Sequence, residues 1–516
     1  METNSNHIDC IFEETKEGLP TIAVLDNNRK IYLHSRFYPT KEAEKYRHRF
    51  NPDKYDSLIV LGTGLGYHLI ELQKFVTKYK KIILIERLSE IETEIATNNT
   101  TIFLTRHQHI ITFITGRTIS EVLNTISNEI DFDTIKGLNI IEHAPSMRTF
   151  SDYYQKIREG IEGIIAKKSS NKATKTALGN LYMRNILLNM VNMLDYIPVL
   201  SFSNKFTEFP SIVITTGPSL DNYIEDIRSI QQKVFIIAVD SALPVLRQQG
   251  IKPDLCISID PLHYISEHFL NSDRSYIPVF SISSNHTLFE KHTGLVSLNS
   301  HPLAQVIEEL FPDTIGSIDS ATGSVAGDAI KLALFLGFNS IGLLGFDFSF
   351  PYYNIYARGT SYQIRYALYY QTRFHTAETS NFNYIMKSSR GYRHAGVFSR
   401  RSFITYKLSI EEMLQTYTAQ NIVNIHSSGI PISSLQTMTM REFIQSHCKN
   451  IIEKHTLINS IMDQSTPLSN HISLDIIKGV LSEKSILQKI INASGLPPLN
   501  DIRLNRIRTL VSSITS

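Results

Sequence analysis

Short apolar runs alternate with helix-like segments over much of the chain, and this alternation predicts parallel sheets covered by helices. Leu58–Leu61 and Ile82–Ile85 are continuous apolar runs, typical of strands buried on both faces, and an amphipathic segment separates them. The runs TIFL and GLNIIE follow in the same region. Residues 1–145 are therefore predicted to form a Rossmann-like N-terminal domain.

The pattern changes twice further along the chain. Residues 146–205 have helical spacing without strands, as in DYYQKIREGIEGIIAKK and LGNLYMRNILLNMVNMLDYI, and are predicted to form a helical connector. Residues 206–433 return to the alternation, with candidate strands SIVIT, VFIIAVD, DLCISID, PVFSIS, LVSLN and SIGLLGFD. They predict a doubly wound, mostly parallel α/β domain. Residues 434–516 are predicted to form a helical C-terminal domain.

Length and composition fit a multidomain globular protein. The 516 residues exceed what one core usually supports, and 42% hydrophobic and 19% charged residues are ordinary values. A net charge of +2 argues against a nucleic-acid partner. The three cysteines have no partner spacing, which indicates neither disulfides nor a zinc site and favours a cytoplasmic location. Neither a signal peptide nor a membrane-spanning stretch is predicted.

A glycine-rich loop follows the first apolar run. Gly62, Gly64 and Gly66 form GTGLGY, and Glu86 ends the next predicted strand. This spacing fits a dinucleotide or S-adenosylmethionine loop, because glycines let a ligand approach the backbone and the acid accepts from ribose hydroxyls. The alternative is a tight turn that binds no cofactor. The Asp131-Phe132-Asp133 stretch in the same domain is interpreted as a solvated turn rather than a metal clamp.

Three predicted strands of the second α/β domain end in an aspartate, namely Asp240, Asp260 and Asp347. Ligands of open α/β sheets bind outside the carboxyl ends of the strands. The Gly217-Pro218-Ser219 turn and the segment Ala321–Gly327 should reach the same edge. Their convergence predicts a ligand site, while the alternative is that each aspartate merely caps the following helix or turn.

The chemistry of this predicted site points to an anionic ligand. Ser219 is expected to cap a helix beginning near Leu220 and to leave its first N–H groups facing the cleft, although Asp221 offsets that positive potential. No P-loop, nucleophile elbow or zinc-helix motif occurs. Residues 350–406 are dense in Tyr and Arg and are predicted to form a lid or phosphate-binding loop. The alternative is a surface between subunits of a homo-oligomer.

Several motifs together resemble the motility-associated factor (Maf) flagellin glycosyltransferases, whose wider domain family includes archaeal 6-hydroxymethylpterin pyrophosphokinases (MptE-like). The motifs are VITTGPSLD, VFIIAVDSALPVLRQQGIKPDLCISIDP, TGSVAGDAIKLALFLGFNSIGLLGFD, YARGTSY and NIHSSGIPI, within roughly residues 180–435. The resemblance implies transfer of a nonulosonic acid (pseudaminic or legionaminic type) from a CMP-activated donor to Ser or Thr of flagellin, in support of flagellum assembly and motility. It implies an inverting enzyme that requires neither a metal nor a cofactor.

The central domain is also similar to bacterial sialyltransferases that use CMP-sialic acid. Their nucleotide-binding turn has Asn before Gly-Pro-Ser-Leu, where this chain has Thr216, and their strand-end Asn is matched by Asp240. Two tyrosines stabilise the leaving phosphate in those enzymes. Tyr356 matches the second, and because the first falls near Ser349, the neighbouring Tyr352 or Tyr353 would have to replace it.

These resemblances assign roles to individual residues. Tyr356 would donate to the departing phosphate, and His394 or His375 would deprotonate the acceptor hydroxyl. The predicted donor-binding residues are Thr216, Gly217, Pro218, Ser219, Asp240, Ser241, Asp260, Pro261, Thr322, Gly323, Ser324, Asp347 and Arg358. Two alternatives stay open: diphosphoryl transfer from ATP, with Asp240, Asp260 and Asp347 holding Mg²⁺, and a non-catalytic flagellin-binding chaperone.

Overall fold

The structure is a computed structural model that divides the chain into two compact units, residues 1–172 and 173–516. It describes residues 9–483 except 27–28, 92–104, 133–134, 272–274, 370, 373–374, 390–392, 395, 418–420 and 426–427, and the isolated positions 485, 489 and 509. The run TIFL and Asp133 therefore lie outside the described residues. The predicted domain boundaries at 145, 205 and 433 stay predictions.

The N-terminal unit contains two sheets. The first is antiparallel and consists of β1 (Cys10–Glu14), β2 (Pro20–Asp26) and β3 (Arg29–Tyr32). The second is parallel, in the order β6-β5-β4-β7, and consists of β4 (Ser57–Leu61), β5 (Lys81–Glu86), β6 (Ile111–Thr115) and β7 (Leu138–Glu142). Helices span Pro39–Glu44, Leu69–Leu72, Ile119–Glu129 and Ala144–Thr149.

The parallel sheet confirms the Rossmann-like prediction for this unit. Every residue of β4 is buried, as its continuous apolar run predicts for a strand covered on both faces. The helix Ile119–Glu129 begins at a capping box in which Thr118 and Glu121 satisfy each other's backbone N–H groups. It packs Val122 and Ile126 into the core on one side of the sheet.

One 42-residue helix, Ser151–Asn192, takes the place of the two helical stretches of the predicted connector. The sequence SSNKATKTALG between them contains no proline, so nothing in it forces a break. Met183, Ile186, Leu187 and Met190 line the buried face near the end of the helix.

The C-terminal unit is built on a nine-stranded sheet in the order β20-β19-β14-β9-β10-β11-β12-β13-β8, in which every pairing is parallel. Its strands are β8 (Ile197–Pro198), β9 (Pro210–Ile214), β10 (Phe235–Val239), β11 (Leu255–Ser258), β12 (Ile277–Ser281), β13 (Leu295–Ser297), β14 (Ser340–Leu344), β19 (Asn421–Ile425) and β20 (Gln436–Met438). The short pairs β15 (Gln371–Thr372) with β16 (His375–Thr376), and β17 (Arg393–His394) with β18 (Val397–Phe398), form two separate ribbons. The doubly wound parallel sheet predicted for this part of the chain is thus confirmed.

Helices of this unit lie between the strands and beyond them. They span Ile224–Ile230, Leu243–Gln248, His286–Lys291, Pro302–Leu310, Val325–Leu336, Ser361–Tyr369, Ala377–Ser388, Arg401–Leu414, Met440–His447, Lys454–Gln464 and Leu474–Ser482. The strand β20 precedes the last three helices, so the segment after residue 433 also contributes to the sheet. No helix in the described part of the chain is both long and apolar enough to cross a membrane.

The strand order reverses direction at β9. From β9 the chain proceeds outward through β10, β11, β12 and β13, and then returns through the helix Val325–Leu336 to place β14 on the other side of β9. A reversal of this kind opens a crevice at the carboxyl ends of the strands, where open α/β sheets bind ligands.

Candidate functional site

The Gly-Pro-Ser turn that follows β9 packs tightly against the segment that follows β14. The N–H of Gly217 donates to the carbonyl oxygen of Gly345 at 3.1 Å. A Cβ on Gly217 would collide with that oxygen and would lie 2.5 Å from Oδ2 of Asp347. A side chain therefore has no room here, and glycine is required by the close approach of two backbones.

Asp347 secures this turn. Its Oδ2 accepts from the N–H of Ser219 at 2.7 Å, and burial raises the pKa of Asp347 to about 6. Residues Pro218–Tyr223 form a 3₁₀ helix whose N-cap is Gly217. The expectation that Ser219 caps this helix and leaves its first N–H groups for an anion is wrong, because the N–H of Ser219 is taken by Asp347.

A second contact joins the same turn to the Tyr/Arg-rich segment. The N–H of Ala357 donates to the carbonyl oxygen of Thr216 at 3.0 Å, and the N–H of Arg358 donates to Asp221 at the same distance. The guanidinium of Arg358 is 85% exposed and its Nε lies 3.8 Å from Asp221. Asp221 thus anchors the backbone of this segment.

Asp240 lies directly beyond β10 and is almost fully buried. Its Oδ2 accepts from the hydroxyl of Ser258 at 2.6 Å and its Oδ1 from the N–H of Ser241 at 2.7 Å. Burial raises the pKa of Asp240 to about 6. Beside it, the hydroxyls of Thr216 and Ser241 lie 3.2 Å apart. Several of the predicted donor-binding positions are therefore brought together at the ends of β9 and β10.

Asp260, beyond the neighbouring strand β11, is half-buried. Its Oδ1 accepts from the N–H of Leu262 at 2.9 Å. Burial raises the pKa of Asp260 to about 6, and the nearby charge of Asp240 contributes in the same direction. The adjacent Pro261 is buried, and its carbonyl oxygen accepts from the side-chain amide of Asn185 at 3.0 Å.

Tyrosines surround these two carboxylates. The rings of Tyr356 and Tyr362 are stacked with centroids 4.9 Å apart, and burial raises the pKa of Tyr362, with smaller contributions from Tyr356, Asp240 and Asp260. Tyr264 is half-buried, and the charge of Asp260 adds to the effect of burial in raising its pKa. Arg365 lies over Tyr264 at 5.2 Å and donates to Glu267 at 2.5 Å. The cluster also includes the imidazoles of His263 and His268, which pack against Tyr264 and Tyr362 with centroids 6.1 and 5.1 Å apart.

Burial also raises the pKa of Tyr182 to about 12, again with a contribution from Asp260. This tyrosine comes from the long helix, which the sequence pattern predicts to be a connector without a functional residue. Neither Tyr182 nor Tyr362, Tyr264 and Arg365 is among the predicted site residues. The motif IDPLHY points to Tyr264, four residues after Asp260, and the motif YARGTSY in the Tyr/Arg-dense segment points to Tyr362.

The segment Thr322-Gly323-Ser324 lies at the same edge, because the helix it precedes runs back to the start of β14. Ser324 caps that helix by accepting from the N–H of Gly327 at 3.3 Å. Asp328 in the first turn accepts from the N–H of Ser320 at 2.7 Å, and burial raises its pKa to about 7. The hydroxyls of Thr322 and Ser324 are 3.2 Å apart, which leaves them mainly engaged with this loop.

The remaining catalytic candidates are placed only in part. His375 and His394 lie in the ribbons, but their side chains are outside the described residues. Tyr352 and Tyr353 are exposed and have φ of 54° and 58°, a left-handed conformation that is costly for residues other than glycine. The ring of Tyr353 packs against Phe382 and Phe398, with centroids 5.5 and 5.7 Å away.

In the N-terminal unit, the glutamate at the end of β5 binds the backbone of the glycine loop. Glu86 is fully buried, and its Oε2 accepts from the N–H groups of Thr63 and Gly64 at 2.8 and 2.7 Å. A Cβ on Gly64 would collide with the ring of His34, and one on Gly62 would collide with Ser146. The glycines are therefore required by protein packing, and these two N–H groups of the loop already have an acceptor.

One group of residues in the described part of the chain has metal-ligand spacing: His34, Glu42 and His143 each offer an atom within 4.8 Å of the others. Nε2 of His34 accepts from the N–H of Leu65 at 2.8 Å, so the neutral ring carries its proton on Nδ1 and presents a donor there. Burial lowers the pKa of His34 to about 3. A ring in this tautomer does not fit a metal ion. The three strand-end aspartates do not form such a group.

Two parts of the chain match known protein families. Residues 17–92 match the glycosyltransferase Maf N-terminal domain, and residues 184–352 match a family described as 6-hydroxymethylpterin diphosphokinase MptE-like. A Maf glycosyltransferase from Magnetospirillum magneticum AMB-1 has a similar fold, with a TM-score of 0.58 over 99% of this chain and 87% of that one at 14% identity.

The curated relatives are uncharacterised proteins from Treponema pallidum (strain Nichols). One is 39% identical over 112 residues, which cover 22% of this chain and 52% of the relative, and another is 26% identical over 212 residues, which cover 41% and 44%. The chain thus spans about half the length of these relatives. The match to the Maf N-terminal domain, the match to the MptE-like domain that follows it and the similar fold together support membership of the Maf glycosyltransferase family.

Proposed function

We propose that the chain is a protein O-glycosyltransferase that transfers a nonulosonic acid of the pseudaminic or legionaminic type from a CMP-activated donor to Ser or Thr of flagellin. The main observation in support of the proposal is that the carboxyl ends of β9, β10, β11 and β14 lie together where the strand order reverses. There the turn after β9, Asp240, Asp260 and the stacked pair of Tyr356 with Tyr362 lie at one edge of the sheet.

In this proposal the nucleoside lies over the ends of β9, β10 and β11. Ribose hydroxyls and the cytosine amino group are donors, and the carboxylate of Asp240 with the hydroxyls of Thr216 and Ser241 is suited to receive them. Two neighbouring carboxylates repel a phosphate. We therefore place the phosphate toward the tyrosines, where Tyr356 donates to the oxygen that leaves with CMP.

The proposed transfer inverts the sugar, as the resemblance implies, and the hydrogen bonds of the aspartates support a reaction without a metal. Both oxygens of Asp240 accept hydrogen bonds from the protein, and Asp347 accepts from Ser219. A Mg²⁺ ion, which prefers a rigid octahedral set of oxygens, would have to share the oxygens of Asp240 with Ser258 and Ser241, whose hydrogen bonds already fix that carboxylate. Stabilisation of the leaving phosphate then falls to fixed donors such as the hydroxyl of Tyr356.

Diphosphoryl transfer from ATP is the second candidate, since the domain at residues 184–352 matches a family described as a diphosphokinase. It would require at least two strand-end carboxylates around Mg²⁺. Asp240 accepts through both of its oxygens, so in a site made of Asp240 and Asp260 it would coordinate the ion only through the lone pairs that Ser258 and Ser241 leave.

Ligand-dependent thermal stability separates these candidates. We expect CMP to raise Tm without added metal, because a ligand that binds only the native state stabilises it in proportion to RT ln(1 + [L]/Kd). CDP, UDP, S-adenosylmethionine and ATP with Mg²⁺ are run in parallel. Stabilisation by ATP–Mg²⁺ alone would favour the diphosphokinase, and no stabilisation by any of them would favour a flagellin-binding chaperone.

Replacement of Tyr356 tests the chemical step. Because its hydroxyl is proposed to act on the leaving phosphate, Tyr356→Phe should lower kcat for transfer to flagellin about 10²-fold or more while CMP still stabilises the protein. The matched control is Tyr38→Phe, an exposed tyrosine of the N-terminal unit. Unchanged kcat in Tyr356→Phe would exclude this role for the tyrosine.

A further inference from the structure

The carboxylates of the three strand-end aspartates are held in different ways. Asp240 accepts through both oxygens, from Ser258 and Ser241, and Asp347 accepts from Ser219. Asp260 accepts through Oδ1 from the N–H of Leu262, and no described residue donates to its Oδ2. Asp240 and Asp347 are almost fully buried and serve the internal structure of the edge, whereas Asp260 is half-buried and keeps its Oδ2 for another partner.

The backbone that carries Asp260 is fixed from two sides. Its carbonyl oxygen accepts from the N–H of Asn285 at 3.1 Å. The carbonyl oxygen of the following Pro261 accepts from the side-chain amides of Asn185, on the long helix, and of Asn285, at 3.0 and 3.3 Å. A carboxylate on so restrained a backbone presents its second oxygen in one defined position, as a positioned proton acceptor requires.

The groups that face Asp260 come from four elements. Asp240 follows β10, Tyr264 lies in the turn after β11, Tyr182 projects from the long helix and Tyr362 lies on the helix Ser361–Tyr369. The cation of this cluster is Arg365, which pairs with Glu267 beside Tyr264. A carboxyl group in such acidic and phenolic surroundings, with a pKa raised to about 6, is ionised at neutral pH and still basic enough to accept a proton.

We propose that Asp260 is the general base that takes the proton of the acceptor hydroxyl on its Oδ2. The proposal rests on the proposed glycosyltransferase function, and it assigns to Asp260 the role that the resemblance gives to a histidine. The acceptor oxygen bonds to the anomeric carbon of the donor as the bond from that carbon to the CMP phosphate oxygen breaks. The hydroxyl proton passes to Asp260, the electron pair leaves with CMP, and Asp260 then returns the proton to solvent.

The test uses the full chain with Asp260→Asn and, as a matched control, Asp226→Asn on the exposed face of the helix Ile224–Ile230. The amide oxygen that replaces Oδ1 in Asp260→Asn can still accept from Leu262, so folding and CMP-induced stabilisation should be unchanged in this variant. Removal of a general base lowers kcat by about 10² to 10⁴-fold. The control should transfer the sugar at the wild-type rate.

A pH profile and chemical rescue identify the base more directly. Wild-type kcat/KM should fall about tenfold per pH unit below pH about 6, because the base must be deprotonated. Asp240 titrates in the same range, so the profile alone does not separate the two residues. Added formate should restore transfer by Asp260→Ala and not by Asp240→Ala, because only the former lacks the proton acceptor.

The outcomes distinguish this proposal from the function on which it rests. If the wild type transfers sugar and Asp260→Asn keeps more than about a tenth of kcat, the base is another residue. If Asp260→Asn no longer responds to CMP, Asp260 is a donor ligand and the assignment is wrong. If the wild type neither binds CMP nor transfers, the glycosyltransferase proposal fails, and the assignment of the base fails with it.

Discussion

Asp240 shows how a residue at the site reduces the stability of the protein that contains it. Its pKa of about 6 lies above the ordinary value of 3.8, because burial disfavours the charge more than Ser258 and Ser241 favour it. The native state therefore binds the proton more tightly than the unfolded state. This cost is absent below pH about 4, develops as the pH rises through the two values, and is complete above about 6.

Asp240→Asn should accordingly stabilise the protein at pH 8 by about 3 kcal/mol and leave its stability nearly unchanged at pH about 4. The amide can accept from Ser241 and donate to Ser258, so it keeps the geometry of the carboxylate. Urea unfolding of both proteins at both pH values measures the difference. An equal effect at the two pH values would show that desolvation of the charge is not its cause.

For individual residues, the sequence predicts which side chains follow a strand but not which residues contact each other in the fold. Asp240, Asp260 and Asp347 stand out because each follows an apolar run, and all three do reach the same edge. The bond from Ser219 to Asp347 joins residues 128 positions apart, and no local pattern reports such a pair. Tyr362 is one of many tyrosines in residues 350–406, and spacing alone does not distinguish it from the exposed Tyr352.

Among the elements, the turn after β9 and the segment after β14 depend on each other through Gly217. Gly217→Ala should destabilise the C-terminal unit by about 1–3 kcal/mol or more, as an overpacked core site does, because its Cβ would displace Gly345 and Asp347. Gly479→Ala is the control, since nothing lies within 4 Å of its Cβ position in the helix Leu474–Ser482.

The control should be neutral or stabilising by up to about 1 kcal/mol, as alanine is in a helix. Thermal unfolding of both variants measures the contrast, and CMP-induced stabilisation should be lost in Gly217→Ala. A Gly217→Ala protein as stable as the wild type would mean that the two segments move apart at little cost.

A buried ion pair joins the helix Lys454–Gln464 to the sheet. Nζ of Lys454 lies 2.7 Å from Oδ2 of Asp254, which also accepts from the N–H of Ile236. Burial lowers the pKa of Lys454 and raises that of Asp254, so each charge depends on the other for compensation. The pair therefore fixes where the helix docks more than it adds to stability.

Removal of one partner should then cost more than removal of both. We expect Lys454→Met to lose about 3–5 kcal/mol of unfolding free energy and the double variant with Asp254→Asn to lose less. Urea unfolding of the wild type, the two single variants and the double variant completes the double-mutant cycle and gives the interaction energy of the pair. Additive losses would show that the two charges do not compensate each other.

Elements are predicted well where burial on both faces leaves a continuous apolar run, as in β4, β9 and β10. The two helical stretches around residue 170 look separate in the sequence because their apolar positions are interrupted, although no helix-breaking residue divides them. That separation also conceals Tyr182, because a connector is not expected to supply a site residue.

For the whole molecule, the glycine turns of the two α/β sheets share one feature: an acid at or beyond the end of a neighbouring strand accepts from backbone N–H groups of the turn. In the N-terminal unit Glu86 occupies N–H groups of the GTGLGY loop, so S-adenosylmethionine and NAD⁺ should not raise Tm. Isothermal titration with both compounds checks this expectation. Binding of either at micromolar Kd would require Glu86 to leave the loop and would contradict the closed arrangement.

The hydrogen bond between Ser219 and Asp347 also means that the site cannot form until Asp347 has been synthesised. At roughly 5–20 residues per second, a ribosome needs about ten seconds to make the 128 residues that separate them. Throughout that interval one edge of β9 has not yet met its partner β14 in the nascent chain, and it is exposed to whatever strand it meets first. A cleft formed between distant segments is thus completed late in synthesis, and β9 keeps an unpaired edge until β14 has been made.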